Sequence, residues 1–256
     1  MRAASLANKL RSKRNLKSEI IRYFYKLFGK KPAHLIHINK TGGTAIKNTL
    51  RQQLNTGNFL IRLHSHNVTL KDIPKGDYVF FVIRDPISKF ISGFYSRKRQ
   101  GQPHYHYPWS KEEEISFSLF STPNELALAL ASDNKETQQQ AKLAMSNIAH
   151  IEDFYWDWFT DKAYLESRKD DILFIADIKH LSSDFVLLRK KLGLPDSINL
   201  VSDNISAHKT PVTEDKHLDE QAIENLRDWY RSDYEFMDFI HQSIMTPSNS
   251  SIGNRE

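Results

Sequence analysis

Apolar residues along the chain fall into two patterns. Short continuous runs occur at 33–38, Phe59–Leu63, Tyr78–Ile83 and 171–175, each bounded by polar or turn-forming residues. Runs of this length, rich in Val, Ile and Phe, predict strands. Tyr78-Val79-Phe80-Phe81-Val82-Ile83 has no polar face, which predicts a strand in the sheet centre, covered on both sides. Elsewhere apolar residues recur at three- and four-residue spacing. Ala45, Ile46, Leu50 and Leu54 predict a helix directly after the first run. Asp85-Pro86 opens another through about Ser96, with Pro in the first turn. Further helices are expected at 123–132, 135–147, around 151–168, at Leu181–Leu192, where Gly193 and Pro195 stop it, and at 218–241. The aromatic stripe of residues 154–159 has helical spacing and reads as core. Residues 100–115, with Pro103 and Pro108, read as a long loop, 199–217 as irregular, and 246–256 as a frayed tail. Strands alternating with helices predict an α/β fold, a P-loop-like parallel sheet of about four to five strands flanked by crossover helices.

Composition narrows this picture. A chain of 256 residues with 39% hydrophobic and 26% charged residues is globular, neither wholly disordered nor fibrous. No apolar run approaches the ~20 residues that span a bilayer. Cysteine is absent, which removes disulfides, thiolate metal sites and cysteine nucleophiles, and fits a reducing compartment. The net charge of +5 is unevenly spread. Residues 1–31 hold ten Lys/Arg against Glu19 alone, a charge of +9, which leaves −4 for residues 32–256. The main body is therefore not a nucleic-acid surface, and no nucleic-acid partner is expected. The chain divides into a basic, helical N-terminal extension (1–31), an α/β domain (32–245) and a polar tail (246–256). The extension suits attraction to anionic lipid or a polyanionic acceptor, or else is a solvated or docked arm. Without a secretory pattern, an apolar span or cysteines, a cytoplasmic protein is expected, peripheral on a membrane where the arm meets anionic lipid.

Two segments carry chemistry. Asn39-Lys40-Thr41-Gly42-Gly43-Thr44 joins the first strand to the first helix. Two glycines there let several backbone N–H groups face one point, where the helix dipole also favours an anion. Lys40 adds a full charge, and Thr41 and Thr44 add hydroxyls. The GxxxxGKS/T nucleotide loop is absent, since the lysine precedes the glycines. Second, Arg84-Asp85-Pro86-Ile87-Ser88-Lys89-Phe90-Ile91-Ser92 places Arg84 at the end of the central strand and Ser92 two helical turns later. That pair can grip one phosphate, the arginine fork giving two bonds and the hydroxyl a third. The plainer readings are turn chemistry for the glycines, and a local Arg84–Asp85 pair with Ser92 packed.

Together the two segments resemble the sulfotransferase family, and within it the carbohydrate branch that includes heparan-sulfate O-sulfotransferases, whose pattern is roughly PKTGGT followed by RDPxxRxxSxY/F. The resemblance covers about residues 33–100, and the later elements are compatible with it. It implies 3′-phosphoadenosine 5′-phosphosulfate (PAPS) as sulfuryl donor and 3′,5′-adenosine bisphosphate as product, without a metal. The donor's 5′-phosphosulfate would sit on Lys40, Thr41, Gly42, Gly43, Thr44 and the amide of Ala45, its 3′-phosphate on Arg84 and Ser92. Asn39 stands where the pattern has Pro, which loosens the turn slightly. Lys89 replaces the second Arg, so a pairing there loses its bidentate geometry.

Sulfuryl transfer to an alcohol needs a base for the acceptor proton and a cation for the leaving oxygen. Lys40 suits the second role. His64-Ser65-His66 follows the second strand, at the edge where α/β ligands bind. Residues i and i+2 of an extended segment share a face, so both histidines are expected at the acceptor, with His66 favoured as base and His64 orienting. Similar sulfotransferases place a catalytic His in this interval. Surface or capping histidines, or an HxH metal site, are the alternatives. Arg97-Lys98-Arg99 followed by His104-Tyr105-His106-Tyr107-Pro108-Trp109 forms either an acceptor groove or an exposed loop pinned by its aromatics. Asn204, His208 and Lys209 are candidates to close over the nucleotide. The leading expectation is transfer to a hydroxyl of a carbohydrate or lipid-linked carbohydrate. A P-loop kinase and a non-catalytic glycan- or anion-binding protein are the alternatives.

Overall fold

The computed structural model describes residues 29–103, 105–200 and 214–245. Most of the basic extension, the polar tail, and Asn204, His208 and Lys209 lie outside them. Four strands form one parallel sheet in the order β2-β1-β3-β4: β1 (Lys31–Leu35), β2 (Phe59–Leu63), β3 (Tyr78–Ile83) and β4 (Ile172–Asp177). The expected α/β class and flanking helices are observed. β3 pairs with β1 on one side and β4 on the other. Val79, Phe81 and Ile83 pack on one face with Phe159 and Phe236, while Phe80 and Val82 pack on the other with Phe185 and Leu188. Both faces are dry, which is why this run carries no polar position.

Because the strands are parallel, their C-terminal ends share one edge. The chain leaves β1 for β2 on one side, then returns to β3 on the other. The crevice between β1 and β3 is thus the topological switch point, where ligands bind in open α/β sheets. β1 ends at Leu35, three residues before the expected limit: the Ile36 amide still bonds the Phe80 carbonyl at 3.0 Å, after which the chain turns toward the crevice. Helix α1 (Gly43–Leu50) and helix α8 (Leu181–Leu192) cover one sheet face through Ile46, Leu50, Phe185 and Leu188. Helix α6 (Tyr155–Phe159) covers the other. Helix α2 (Pro86–Lys98) leads from β3 into a helical layer with α3 (Lys111–Leu119), α4 (Pro123–Ala129) and α5 (Lys135–Asn147), closed around Phe90, Phe94, Leu126 and Met145.

Three helical expectations need correction. The loop placed at 100–115 gives way at Lys111 to α3, started by a reciprocal Ser110–Glu113 capping box. The stretch around 151–168 is two short helices, α6 and α7 (Lys162–Glu166), separated at Thr160 with φ 76°. The single helix expected at 218–241 is α9 (Glu220–Trp229) followed by α10 (Arg231–Phe239) and a π-helical turn at Ile240–Met245. The break is at Tyr230, whose buried hydroxyl donates to the Ile151 carbonyl at 2.7 Å. A tertiary bond there outweighs an otherwise continuous amphipathic pattern.

Candidate active site

The turn after β1 has the conformation its glycines allow. Lys40 (φ 62°) and Gly42 (φ 94°) are left-handed, and α1 starts at Gly43. A Cβ on Gly43 would lie 2.5 Å from His37 Cδ2, and one on Gly42 would lie 3.1 Å from Ile178 Cδ1. At Gly43 a side chain would have to displace the His37 ring, and at Gly42 the left-handed backbone strains any side chain. Thr44 faces the cleft, its hydroxyl 3.4 Å from His37 Nε2. Two expected ligands are occupied otherwise. The Thr41 hydroxyl is fully buried and donates to the Ile38 carbonyl at 3.1 Å, and the Ala45 amide donates to the Gly42 carbonyl at 3.1 Å.

Lys40 and Arg84 meet across the crevice. Arg84 leaves the end of β3 and donates from Nη1 to the Lys40 carbonyl at 2.9 Å, while its Nε is buried without a partner among the described residues. Burial, followed by the charge of Arg84, lowers the Lys40 ammonium to about 8. Asp85 is not the partner of Arg84 that the plainer reading supposed; its carboxylate caps α2 by accepting the Ser88 amide at 2.8 Å. Ser88 and Ser92 line the cleft beside Arg84. The cavity measures about 700 Å³, and Lys40, Arg84 and Lys216 face it with no carboxylate in its wall among the described residues. Such a wall suits a polyanion.

His66 lies in the same wall. Its Nδ1 is 2.8 Å from the His37 carbonyl oxygen, which can only accept, so Nδ1 carries the proton and Nε2 keeps the lone pair. The rings of His37 and His66 are 3.9 Å apart. Burial lowers the His66 pKa, so the ring is neutral and able to take a proton near neutral pH. The loop is held from both sides: Trp158 Nε1 donates to the His66 carbonyl at 2.8 Å, and Lys47 donates to that of His64 at 2.9 Å.

The family model described as the sulfotransferase family matches residues 18–239. The chain belongs to the sulfotransferase family. No curated protein matches it. The family's reaction is sulfuryl transfer to an acceptor, generally from PAPS, and the glycine turn, Arg84 and Ser92 are the segments on which the resemblance rested.

Several expectations change in this sulfotransferase fold. His64 does not join His66 in the cleft. The strand ends at Leu63, so the two-residue alternation lapses, and the His64 ring stacks on His34 with Nε2 2.8 Å from His34 Nδ1. Burial lowers its pKa to about 4. The triplet 97–99 is structural rather than an open groove: buried Arg97 forms a two-pronged pair with Glu113 (2.6 Å each), Lys98 bonds the Ser121 carbonyl, and Arg99 pairs with Glu214 at 2.7 Å. Trp109 stacks on Phe117, and from this loop only Tyr105 lines the cleft among the described residues. Asn39 does not loosen the turn, because its amide donates to Asp153 at 2.6 Å. Lys89 is buried, with Asp233 at 3.8 Å and the Asp153 carbonyl as partners, a structural cation. Residues 154–159 are core as expected, through Tyr155, Trp158 and Phe159.

Among the described residues, three titratable wall residues were missed: His37, His150 and Lys216. His37 sat inside an apolar run read as strand. His150 has φ 74° in a segment clamped by Tyr230 on Ile151 and Asn39 on Asp153. Burial and the nearby Lys40 lower it to about 3, and its ring is 6.4 Å from that of His66. No periodicity marks such a residue; only the strained backbone does.

Proposed function

We propose that this chain transfers the sulfuryl group of PAPS to a hydroxyl of a glycan or glycolipid, with His66 as general base. The observation that carries this is the His66 ring, held at Nδ1 by the His37 carbonyl and set in one wall with Lys40 and the glycine turn. The residues fit the donor: among the described residues three cations face a wall without a carboxylate, Arg84 Nε is a buried donor without a partner, and a side chain at Gly43 would have to displace the His37 ring. Lys40, Gly42, Gly43 and Thr44 would hold its 5′ end, and Arg84 with Ser92 its 3′-phosphate. When bound, PAPS supplies an activated sulfuryl group and departs as 3′,5′-adenosine bisphosphate.

The chain's own residues supply the rest. His66 receives the acceptor proton at Nε2, and the imidazolium so formed keeps its Nδ1–H bond to the His37 carbonyl. Lys40 presents positive charge where the leaving oxygen becomes anionic, an interaction that counts most in the transition state. His150, neutral and in the same wall, does not compete for the proton. Tyr105, Ile91 and Ile178 provide apolar surface for rings.

Thermal unfolding with nucleotides tests the donor. Bound at one hundred times its dissociation constant, 3′,5′-adenosine bisphosphate should stabilise by about 2.7 kcal/mol, and ATP with Mg²⁺ by far less. Equal or greater stabilisation by ATP with Mg²⁺ would overturn the donor assignment in favour of a kinase. Transfer of labelled sulfate from PAPS to a glycan panel tests the acceptor class.

A further inference from the structure

Arg84 is held by a residue that no sequence motif marks. Tyr155, at the start of α6, is fully buried, and its hydroxyl serves both peptide groups of one residue. It donates to the Arg84 carbonyl at 2.7 Å and accepts the Arg84 amide at 2.8 Å. Arg84 is where the chain leaves β3, so neither group continues the ladder. The phenol takes the ladder's place. Tyr155 is itself fixed: its amide donates to Asp233 Oδ1 at 2.7 Å, and its ring stacks on Phe236 at 4.7 Å with 7° between planes. Burial raises its pKa, so the hydroxyl stays protonated and keeps its donor role. From Arg84 the connection continues through Nη1 to the carbonyl of Lys40, which sits in the left-handed region at φ 62°.

We propose that Tyr155 is a positioning residue for recognition of the donor's 3′-phosphate: its hydroxyl sets the backbone of Arg84, and Arg84 in turn holds the Lys40 turn. This rests on the PAPS reading above. Arg84 then has two tasks, gripping one end of the nucleotide and steadying the lysine at the other. Binding of a 3′-phosphate on Arg84 tightens the same arginine that supports Lys40. A nucleotide without that phosphate fails on affinity and also leaves the Lys40 turn less ordered.

The experiment compares 3′,5′-adenosine bisphosphate with 5′-AMP by titration calorimetry on the full chain. Losing a hydroxyl that satisfies two buried backbone groups should cost Tyr155→Phe about tenfold in affinity for the bisphosphate, and clearly less for 5′-AMP, which feels Arg84 only through the Lys40 turn. In an Arg84→Ala background the same substitution should no longer alter the ratio between the nucleotides. Tyr230→Phe, which also removes a buried hydroxyl, should leave the ratio as in the parent. Should Tyr155→Phe not fold, exchange of the Arg84 amide in the parent answers instead: the bisphosphate should slow it and 5′-AMP should not. A parent that discriminates alongside a Tyr155→Phe variant that discriminates equally overturns this inference alone, as does equal slowing of that amide by both nucleotides. A parent that binds both nucleotides equally overturns the donor reading and the inference together.

Discussion

His64 and His66 are separated by one residue and belong to two different histidine clusters. In the first, His64 stacks on His34, whose Nε2 lies 3.5 Å from Asp77, behind the sheet edge. In the second, His66 meets His37 and His150 in the cleft. Burial depresses the pKa in both clusters, so titration alone does not tell them apart. The bonded nitrogen does. His64 uses Nε2 on another histidine, whereas His66 uses Nδ1 on a carbonyl, which leaves its lone pair on Nε2. Residue type and spacing nominate two histidines; in the proposed mechanism the hydrogen bond on the far nitrogen points to His66 as the base.

The largest expected effect separates the clusters directly. His66→Asn should lower turnover by about 10²–10⁴-fold, the range for a positioned general base, with bisphosphate affinity close to that of the parent. His64→Asn should keep most of the activity. Steady-state assays of the two variants with one acceptor decide this, and a dead His64 variant beside an active His66 variant would reverse the assignment.

Next in size is Lys40→Ala, expected to cost about 10²–10³-fold in turnover, as removal of one oxyanion-stabilising donor does. Its ionisation also predicts a pH dependence. The ammonium is charged below about 8, so bisphosphate affinity should be constant at lower pH and weaken as pH rises through that value. Lys40→Arg should flatten the trend between pH 7 and 9. An unchanged trend would assign it to another group.

Gly43→Ala disturbs the cleft cluster and leaves the other untouched. The new methyl would stand 2.5 Å from the His37 ring and must displace it, and that is the ring on which His66 rests. A shift of that size can cost about 10²-fold in activity, while Gly57→Ala, where a Cβ meets nothing within 4 Å, should cost little.

The smallest effect concerns stability. His64 has a folded pKa of about 4 against an unfolded value near 6.5, so below the latter the unfolded chain binds more protons. Stability present above about 6.5 is therefore lost as pH falls toward 4. His64→Gln should reduce that slope in melting temperature measured from pH 7 to 4. An identical slope would place the acid sensitivity with His150 and the remaining groups.

Much of the fold was legible because it depends on local pattern. The unbroken apolar run of β3 could only be an interior strand, α5 ended where its periodicity ended, and Gly193 stopped α8 in the left-handed conformation (φ 66°). The helix break at Tyr230 was not legible, because a bond to Ile151 decides it. In the site, Lys40, the glycine turn, Arg84 and Ser92 were read from two motifs. Thr41 and Ala45 were assigned by position, and only their observed bonds showed that one hydroxyl and one amide already have partners.

The sequence by itself determined the strands, the glycine turn after β1, the arginine at the end of β3 and the histidine pair after β2, because each follows from residue type within a few neighbours. The tertiary structure alone decided which histidine faces the cleft, that Arg97 is buried against Glu113, that His37 and His150 complete the wall, and that Tyr155 supports Arg84 from 71 positions away. The physical reason is that a hydrogen bond or a ring contact requires two groups within a few ångströms, and residues distant along the chain are brought that close only by folding.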